Sequence, residues 1–375
     1  MLLTGCRQSG KTSLLEHTFP SHARISLDVP AVAQLAEEDG LEFLRQHPAP
    51  AIIDEVQYAP QLFRYLKDTI DKHRQDNGLY LLTGSQKFQL MQEVSESLAG
   101  RIAIIELYNL SAAELEAWSH SPAEGDTLLE WIFSGGYPEL HARGLAPQRF
   151  FADYVATYLE RDVRSVLNVR SLRDFDRFLR LAAVRSGQLL SMNSFASDLG
   201  ISVNTVSSWL SVLEASSVIA LVSPYYRNLG KRLVKTPKLY FIDTGLACFL
   251  AGLRSKEELR RSSLLGPLFE TFVLGQILRW YANRALPADV YFYRDHYGHE
   301  VDFVIPVGEK LRLIECKWAE MVDAKPAGFT EIEKLLGSEG IVSASVITPR
   351  RGPRAGPQGI AIDDVVDLAC LRTSP

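Results

Sequence analysis

The sequence is short of cysteine and has no long hydrophobic run. Its four cysteines are scattered and form neither a metal-ligand pair nor a disulfide framework. No apolar segment approaches the ~20 residues that span a bilayer, and nothing at the N-terminus resembles a secretion signal. No internal repeat or low-complexity block is present. We therefore expect a cytoplasmic protein that does not engage a membrane.

Acidic and basic residues are unevenly distributed along the chain. The net charge of −5 argues against a protein coated in nucleic acid. Between positions 166 and 250, however, ten Lys and Arg stand against five Asp and Glu, so the acidic excess lies elsewhere. A basic middle inside an acidic protein indicates a local anionic partner.

Residues 1–118 alternate short apolar strands with helical patterns. This alternation predicts an α/β fold with a parallel sheet and helices on both faces. The predicted strands are Leu2–Thr4, Ala23–Leu27, Ala51–Asp54, Leu79–Thr83 and Ile102–Leu107. The Pro-, Gly- and Arg-rich tail after Pro349 is expected to be a solvated loop.

The segment Gly5–Thr12 fits the pattern G-x-x-x-x-G-K-[ST] without a mismatch. In such a loop backbone N–H groups surround phosphate oxygens, Lys11 reaches the β and γ phosphates, and the Thr12 hydroxyl can ligate Mg²⁺. The helix that follows adds its positive N-terminal dipole. The pattern therefore predicts a P-loop NTPase. The predicted nucleotide-binding residues are Gly5, Gln8, Ser9, Gly10, Lys11, Thr12, Ser13, Asp54 and Ser85.

A second element, Ala51–Glu55, is an apolar strand that ends in two acids. Asp54 is predicted to hold Mg²⁺ together with Thr12, and Glu55 to polarise the attacking water. The alternative is that both acids only cap the next helix. Because this strand accompanies a complete phosphate loop, we prefer the catalytic interpretation.

Two more residues are candidates for the same site. Ser85 follows a predicted strand and would sense the γ-phosphate, unless it lies in a plain strand-end turn. Arg101 lies between a helix and a strand and is a candidate catalytic arginine finger for a neighbouring subunit's nucleotide. Its alternative is a surface arginine. A finger would imply a homo-oligomer.

Several of these motifs occur together in one known family. They are Gly5–Thr12, Asp54–Gln57, Thr83–Ser85, Ser97–Arg101 and Tyr154–Val163. Together they resemble a widespread prokaryotic family of AAA-type ATPases joined to a C-terminal domain of unknown function. The resemblance covers almost the whole chain. It implies an ATP-binding AAA-like core, a DNA-binding-type middle and a nuclease-like C-terminal fold.

The chain departs from that family at its start. Family members usually carry residues before the first strand, whereas here Met1 lies next to it. Either the start lies further upstream, or contacts to the nucleotide base are reduced.

The basic middle contains a helix-turn-helix pattern. Ser191–Leu199 is followed by a turn at Gly200 and by Ser202–Ala215, which has apolar residues at helical spacing on one face. Two predicted strands, Val218–Val222 and Lys238–Ile242, would complete a winged helix. Its predicted DNA-contacting residues are Arg227, Lys231, Arg232 and Lys235. The recognition helix lacks Arg and Lys, so weakly specific DNA binding is expected. The alternative is that this module packs against the ATPase core or mediates subunit contacts.

The C-terminal region carries isolated charges among apolar residues. Glu270 lies in a predicted helix, Asp302 in a strand, and Glu315 and Lys317 on one face of the next strand. This order resembles the PD-(D/E)XK nuclease core. In that interpretation Glu270, Asp302 and Glu315 bind Mg²⁺, and Lys317 acts in catalysis. The alternatives are a buried structural salt bridge and an inherited fold that no longer cuts.

The motifs divide the chain into four predicted parts. These are a P-loop core (1–118), a helical lid or linker (127–190), a winged helix (191–250) and an α/β restriction-endonuclease-like domain (260–375). One predicted function is an ATPase coupled to nucleic-acid engagement, with or without metal-dependent cleavage. The other is a regulatory switch in which ATP controls assembly or DNA binding and the C-terminal domain only binds.

Overall fold

The computed structural model describes the residues in the ranges 1–85, 97–159, 172–225 and 235–372. They divide into two compact units. The first unit comprises Met1–Asn109, Ala215–Ser217 and Ala282–Ala285, and the second contains the rest of the described chain. Across these ranges, no helix has the length and apolar character that crossing a membrane requires.

The first unit is built around a parallel sheet of five strands. Its strands are β1 (Leu2–Thr4), β2 (Ala23–Ser26), β3 (Ala51–Asp54), β4 (Tyr80–Thr83) and β5 (Ile104–Glu106), in the order β2-β3-β4-β1-β5. Its helices are α1 (Lys11–Thr18), α2 (Pro30–Glu38), α3 (Gly40–Gln46) and α4 (Leu62–Lys72). All five predicted strands are confirmed, with ends that differ by at most two residues.

Both faces of this sheet are covered by apolar side chains. Leu2 and Ile53 point into a core that includes Phe43 and Phe63 from the helices α3 and α4. The neighbouring residues of the same strands, such as Leu3, pack with Leu15 of α1 in a separate core. Successive side chains of a strand point to opposite faces, so a strand covered on both faces must be apolar throughout. The predicted three-layer α/β fold is confirmed.

The second unit contains most of the helices. They are α5 (Ala112–Ser119), α6 (Gly125–Ser134), α7 (Pro138–Ala142), α8 (Pro147–Tyr154), α9 (Leu172–Val184), α10 (Met192–Leu199), α11 (Val203–Ala215), α12 (Thr244–Leu250), α13 (Lys256–Arg261), α14 (Leu265–Ala282), α15 (Ala327–Leu336) and α16 (Ala369–Arg372). The N-terminal stretch of the first unit runs to Asn109, whereas the predicted P-loop core runs to 118. The helix α5 therefore belongs to the second unit.

Nine strands of the second unit form one continuous sheet. They are β6 (Gln188–Leu189), β7 (Ile219–Pro224), β8 (Lys238–Phe241), β9 (Tyr291–Arg294), β10 (Glu300–Val307), β11 (Lys310–Cys316), β12 (Ile341–Ile347), β13 (Arg354–Ala355) and β14 (Ala361–Asp363). Their order is β13-β14-β12-β11-β10-β9-β7-β8-β6. The strands predicted for a wing and those predicted for a nuclease-like domain are thus joined where β7 pairs with β9.

The two helices predicted on either side of Gly200 are present. Ser191 caps α10 through its side chain, and Gly200 ends that helix in the left-handed conformation at φ 69°. In α11 the predicted apolar residues Val206, Trp209 and Leu210 are buried. Ser208 on the opposite side is exposed. The wing residues Arg227, Lys231 and Arg232 lie outside the described residues, and Lys235 is exposed.

A close junction joins α6 to the start of α12. Asp243 caps α12 by accepting from the Leu246 amide at 3.0 Å, and its other oxygen accepts from the Gly136 amide at 2.9 Å. A Cβ at Gly245 would lie 2.4 Å from the carbonyl oxygen of Ser134. The two helix ends therefore approach closely only because glycine stands here.

The prediction of a solvated tail after Pro349 is wrong. β13 and β14 extend the sheet beyond β12, and Asp363 and Asp364 are buried. Arg351 contacts Asp364 at 2.5 Å and Glu116 at 3.1 Å. The polar residues that suggested a loop therefore pair with buried or half-buried carboxylates inside the unit.

Candidate functional site

The segment Gly5–Thr12 connects β1 to α1 at the carboxyl edge of the sheet. Three residues in it have positive φ: Gly5 at 144°, Gln8 at 61° and Gly10 at 89°. A Cβ on Gly5 would lie 2.1 Å from the carbonyl oxygen of Leu107. Gly10 precedes α1, and no side chain caps that helix. The first amides of α1 are thus left for an external acceptor.

Lys11 is a buried cation at the start of α1. Its Nζ donates to the carbonyl oxygens of Cys6 at 2.8 Å and Gly5 at 3.1 Å. Burial lowers the pKa of Lys11, whereas the nearby carboxylate of Glu55 raises it. The Lys11 ammonium therefore lies inside the loop. An anionic ligand bound there would offset the unfavourable free energy of burying this charge.

Asp54 lies at the end of β3, beside this loop. Its Oδ1 accepts from Thr12 Oγ1 at 2.9 Å and from Thr83 Oγ1, and its Oδ2 accepts from Arg24 at 2.9 Å. The strands β3, β4 and β1 are neighbours in the sheet, which explains how these residues meet. Thr12 and Asp54 oxygens at this spacing can ligate one Mg²⁺, whose ligands lie at about 2.1 Å from the ion.

Glu55 follows Asp54 in the left-handed conformation at φ 57°. Its side chain does not cap the following 3₁₀ turn, Val56–Tyr58. Instead, its Oε2 accepts from Gln57 and, at 3.4 Å, from Ser85 Oγ. Asp54 likewise faces Thr12 of α1 rather than the turn that follows it. Both contact sets differ from the capping alternative, and the charge of Glu55 acts on Lys11 of the phosphate loop.

The residues present fit a nucleoside triphosphate with Mg²⁺. Among the described residues, the buried hydroxyl of Ser9 has no hydrogen-bond partner, which a phosphate oxygen would provide. Together with Lys11 and the uncapped start of α1, it forms a cationic group of hydrogen-bond donors. Ser13, in the first turn of α1, has an exposed side chain.

Arg24 is a site residue that sequence reasoning missed. It lies on β2 and pairs with Glu16 of α1 and with Asp54, both at 2.9 Å. A charged residue inside a short strand was the available signal, but its partner follows only from the pairing of β2 with β3.

Arg101 is engaged within its own unit. It binds Asp71 of α4 through Nε at 2.7 Å and through Nη2 at 3.1 Å. Its role as an arginine finger stays a prediction, and that role requires release from Asp71.

A second charged cluster lies in the other compact unit. Lys238 of β8 is almost fully buried, and its Nζ lies 2.8 Å from Glu270 Oε1 and 3.8 Å from Asp302 Oδ1. It also contacts Glu300. Burial by itself lowers the pKa of Lys238, but the three surrounding carboxylates raise it above its ordinary value.

The other predicted residues of the nuclease-like site lie beside this cluster. Lys317 contacts Glu315 at 2.8 Å, and the Cys316 amide donates to Asp302 at 2.8 Å. Burial, followed by the charges of Glu270 and Glu315, raises the pKa of Asp302. Burial also raises the pKa of Glu315. The sequence prediction thus identified residues that lie together, but it missed Lys238 and Glu300.

This cluster does not fit a magnesium ion as it stands. Mg²⁺ needs oxygens at 2.0–2.1 Å in octahedral geometry, and here the oxygens of Glu270 and Asp302 surround an ammonium instead. Across the described parts of the chain, no group of three His, Cys, Asp or Glu residues is arranged to hold a metal ion.

Three families match successive parts of the chain. Residues 1–116 match the AAA domain, residues 125–257 match a domain of unknown function, DUF8612, and residues 265–360 match another, DUF4143. The first match makes the N-terminal part an AAA-type domain, a class that in general hydrolyses ATP. The predicted nuclease-like domain corresponds to a family without an assigned function.

Two curated proteins align with most of the chain. The uncharacterized proteins Rv2008c of Mycobacterium tuberculosis and Mb2031c of Mycobacterium bovis are each 31% identical over 308 residues, which is 81% of this chain and 67% of theirs. The chain belongs to the same family as these two mycobacterial proteins.

Solved structures resemble the chain only weakly. The Orc1 protein of Aeropyrum pernix in complex with DNA is 14% identical, with 71% of this chain and 86% of that chain covered and a TM-score of 0.25. Protein VC1899 of Vibrio cholerae is 14% identical, with coverage of 98% and 95% and a TM-score of 0.21. Likeness at this level carries no argument about function.

Proposed function

We propose that this protein binds ATP with Mg²⁺ at the phosphate loop, hydrolyses it, and uses the nucleotide state to control its engagement of nucleic acid. The observation that carries the ATPase proposal is the convergence of Lys11, Thr12 and Asp54 at one edge of the sheet. Glu55 lies at the same edge and is held by Ser85. The match to the AAA domain supports this assignment.

In the proposed hydrolysis each residue has a separate task. Lys11 and the amides of the loop bind the phosphates, and Thr12 and Asp54 hold the Mg²⁺, which supplies charge neutralisation when bound. Glu55 accepts a hydrogen bond from the attacking water and orients it. Ser85, in contact with Glu55, would transmit the presence of the γ-phosphate to β4.

The Glu55→Gln variant tests the hydrolytic step. The amide keeps the shape of the side chain but cannot act as a base, so turnover should fall by roughly 10²- to 10³-fold. ATP binding should persist, and bound ATP should accumulate. Glu38→Gln, a change on the outer face of α2, is the matched control. Normal ATP turnover in Glu55→Gln would show that another residue is the base.

Nucleic-acid engagement is proposed from the second unit. The helix pair α10 and α11 presents Asn204, Ser208 and Ser211 at an exposed surface, and the sequence around it is basic. Polar side chains and nearby cations suit phosphate contacts with little base selectivity. A DNA affinity that falls steeply with salt and differs between ATP-bound and nucleotide-free protein would support the proposal. An affinity for DNA that is independent of nucleotide would contradict the coupling.

Metal-dependent cleavage is the other function predicted from the sequence. Glu270, Asp302, Glu315 and Lys317 do lie in one cluster, but with Lys238 among its carboxylates this cluster does not fit a magnesium ion. A nuclease assay on several DNA and RNA forms, with Mg²⁺ or Mn²⁺ and with or without ATP, tests it. Cleavage that is lost in Asp302→Ala would establish this function. If no cleavage occurs under any condition, the regulatory switch remains, in which the C-terminal domain only binds.

A further inference from the structure

The carboxylate cluster of the second unit encloses a lysine side chain. Lys238 begins β8, and its ammonium lies between the carboxylates of α14 and β10. Its Nζ also lies 5.5 Å from the ring centre of Phe292 on β9. The lysine is therefore held by three different elements around its own strand.

The remaining charges of the cluster are also paired inside the unit. Lys317 contacts Glu315, and Arg294 contacts Glu300 at 3.1 Å. Tyr240, two residues after Lys238 on the same strand, donates to Glu270. Four carboxylates thus face three cations of the protein itself. A buried carboxylate needs such a partner or a metal, and here the chain supplies the partner.

The spacing around Lys238 suits an ammonium. An ammonium donates hydrogen bonds of about 2.8 Å to carboxylates, whereas magnesium draws its oxygens to about 2.1 Å. The contact from Lys238 to Glu270 is 2.8 Å. A divalent cation at this position would have to displace a buried side chain.

We propose that the ammonium of Lys238 is the resident cation of the Glu270–Glu300–Asp302 cluster and takes the place predicted for Mg²⁺, so that the folded protein binds no divalent cation there. This inference goes beyond the ATPase proposal and is independent of it. It decides between the two candidate functions of the C-terminal region, because a cluster closed by lysine does not supply metal-dependent cleavage.

Manganese binding by nucleotide-free protein tests the inference. Asp54→Asn serves as the background, so that the phosphate loop contributes no carboxylate ligand. In this background we expect no Mn²⁺ uptake, measured as loss of the free-ion signal in electron paramagnetic resonance. Adding Lys238→Met, which keeps the length but removes the charge, should create a site for about one Mn²⁺ per chain. Lys256→Met, which changes a half-buried lysine on α13, is the matched control.

Two results would overturn the inference. One is Mn²⁺ binding in the Asp54→Asn background that is lost when Asp302→Asn is added, since the metal would then share the cluster with lysine. The other is a folded Lys238→Met protein that takes up no Mn²⁺, since lysine would then not be what excludes the metal.

Removal of the buried charge in Lys238→Met can unfold the protein. A second measurement therefore does not use this variant. The melting temperature of the Asp54→Asn protein should be the same with and without Mn²⁺. A rise with Mn²⁺ that Asp302→Asn abolishes would contradict the inference. ATP hydrolysis is measured separately with Glu55→Gln, so failure of the ATPase proposal cannot be mistaken for failure of this one.

Discussion

Asp54 contacts residues from three other elements at the nucleotide site. It accepts hydrogen bonds from Thr12, Thr83 and Arg24, which lie on α1, β4 and β2. An almost buried carboxylate with this many donors is fixed in one orientation before any ion arrives. The proposed Mg²⁺ would exchange with some of these contacts when it binds.

Arg24 should compete with Mg²⁺ for Asp54. Replacing it by glutamine removes a cation 2.9 Å from the carboxylate, so the Mg²⁺ concentration needed for half-maximal ATPase activity should fall. Because Arg24 is 44% exposed, solvent screening limits the expected change to about threefold. Arg45→Gln, which removes an exposed arginine of α3, should leave the Mg²⁺ requirement unchanged. A higher requirement in Arg24→Gln would mean that Arg24 helps to position Asp54.

Most residues gathered at the phosphate loop could be predicted from the sequence because they lie at the ends of strands or in the segments that follow them. Lys11 comes after the loop that follows β1, Asp54 ends β3, and Ser85 comes shortly after β4, and neighbouring parallel strands bring their carboxyl ends to one edge. Arg24 and Lys238 could not be placed in the same way. Each lies inside or at the start of a strand, and its partners come from elements that only the tertiary structure brings near.

Among the helices and strands, local sequence patterns predicted most individual elements correctly. They did not predict how the strands pair into sheets. The five strands of the first unit and the helix pair α10 and α11 follow the apolar periodicity of the sequence. The sequence did not reveal that β7 pairs with β9, which joins a predicted wing to a predicted nuclease-like sheet. Nor did it reveal β13 and β14, because strands of two and three residues are too short to show a hydrophobic alternation.

Gly245→Ala should destabilise the second unit. The added methyl group would lie 2.4 Å from the Ser134 carbonyl oxygen, so α6 and α12 must separate, at a cost of about 2 kcal/mol. Gly266→Ala is the matched control, since a Cβ there meets nothing within 4 Å. Urea unfolding followed by circular dichroism measures both. Equal free energies of unfolding for the two variants would show that α6 and α12 can separate without a loss of stability.

At the scale of the whole molecule, one chain combines an AAA domain with two domains of unknown function. The first unit carries the nucleotide site, and the second carries the helix pair and the lysine-filled cluster. The two mycobacterial members of the family align with 308 residues, which is 81% of this chain.

We expect the chain to bind Mg-ATP through its N-terminal loop. Titration calorimetry of wild-type protein and Lys11→Ala with Mg-ATP measures this binding, with Lys72→Ala of α4 as the control. We predict one ATP per wild-type and control chain, and an affinity lower by roughly 10- to 100-fold in Lys11→Ala, since a charge-assisted contact is lost. An unchanged ATP affinity in Lys11→Ala would contradict the claim.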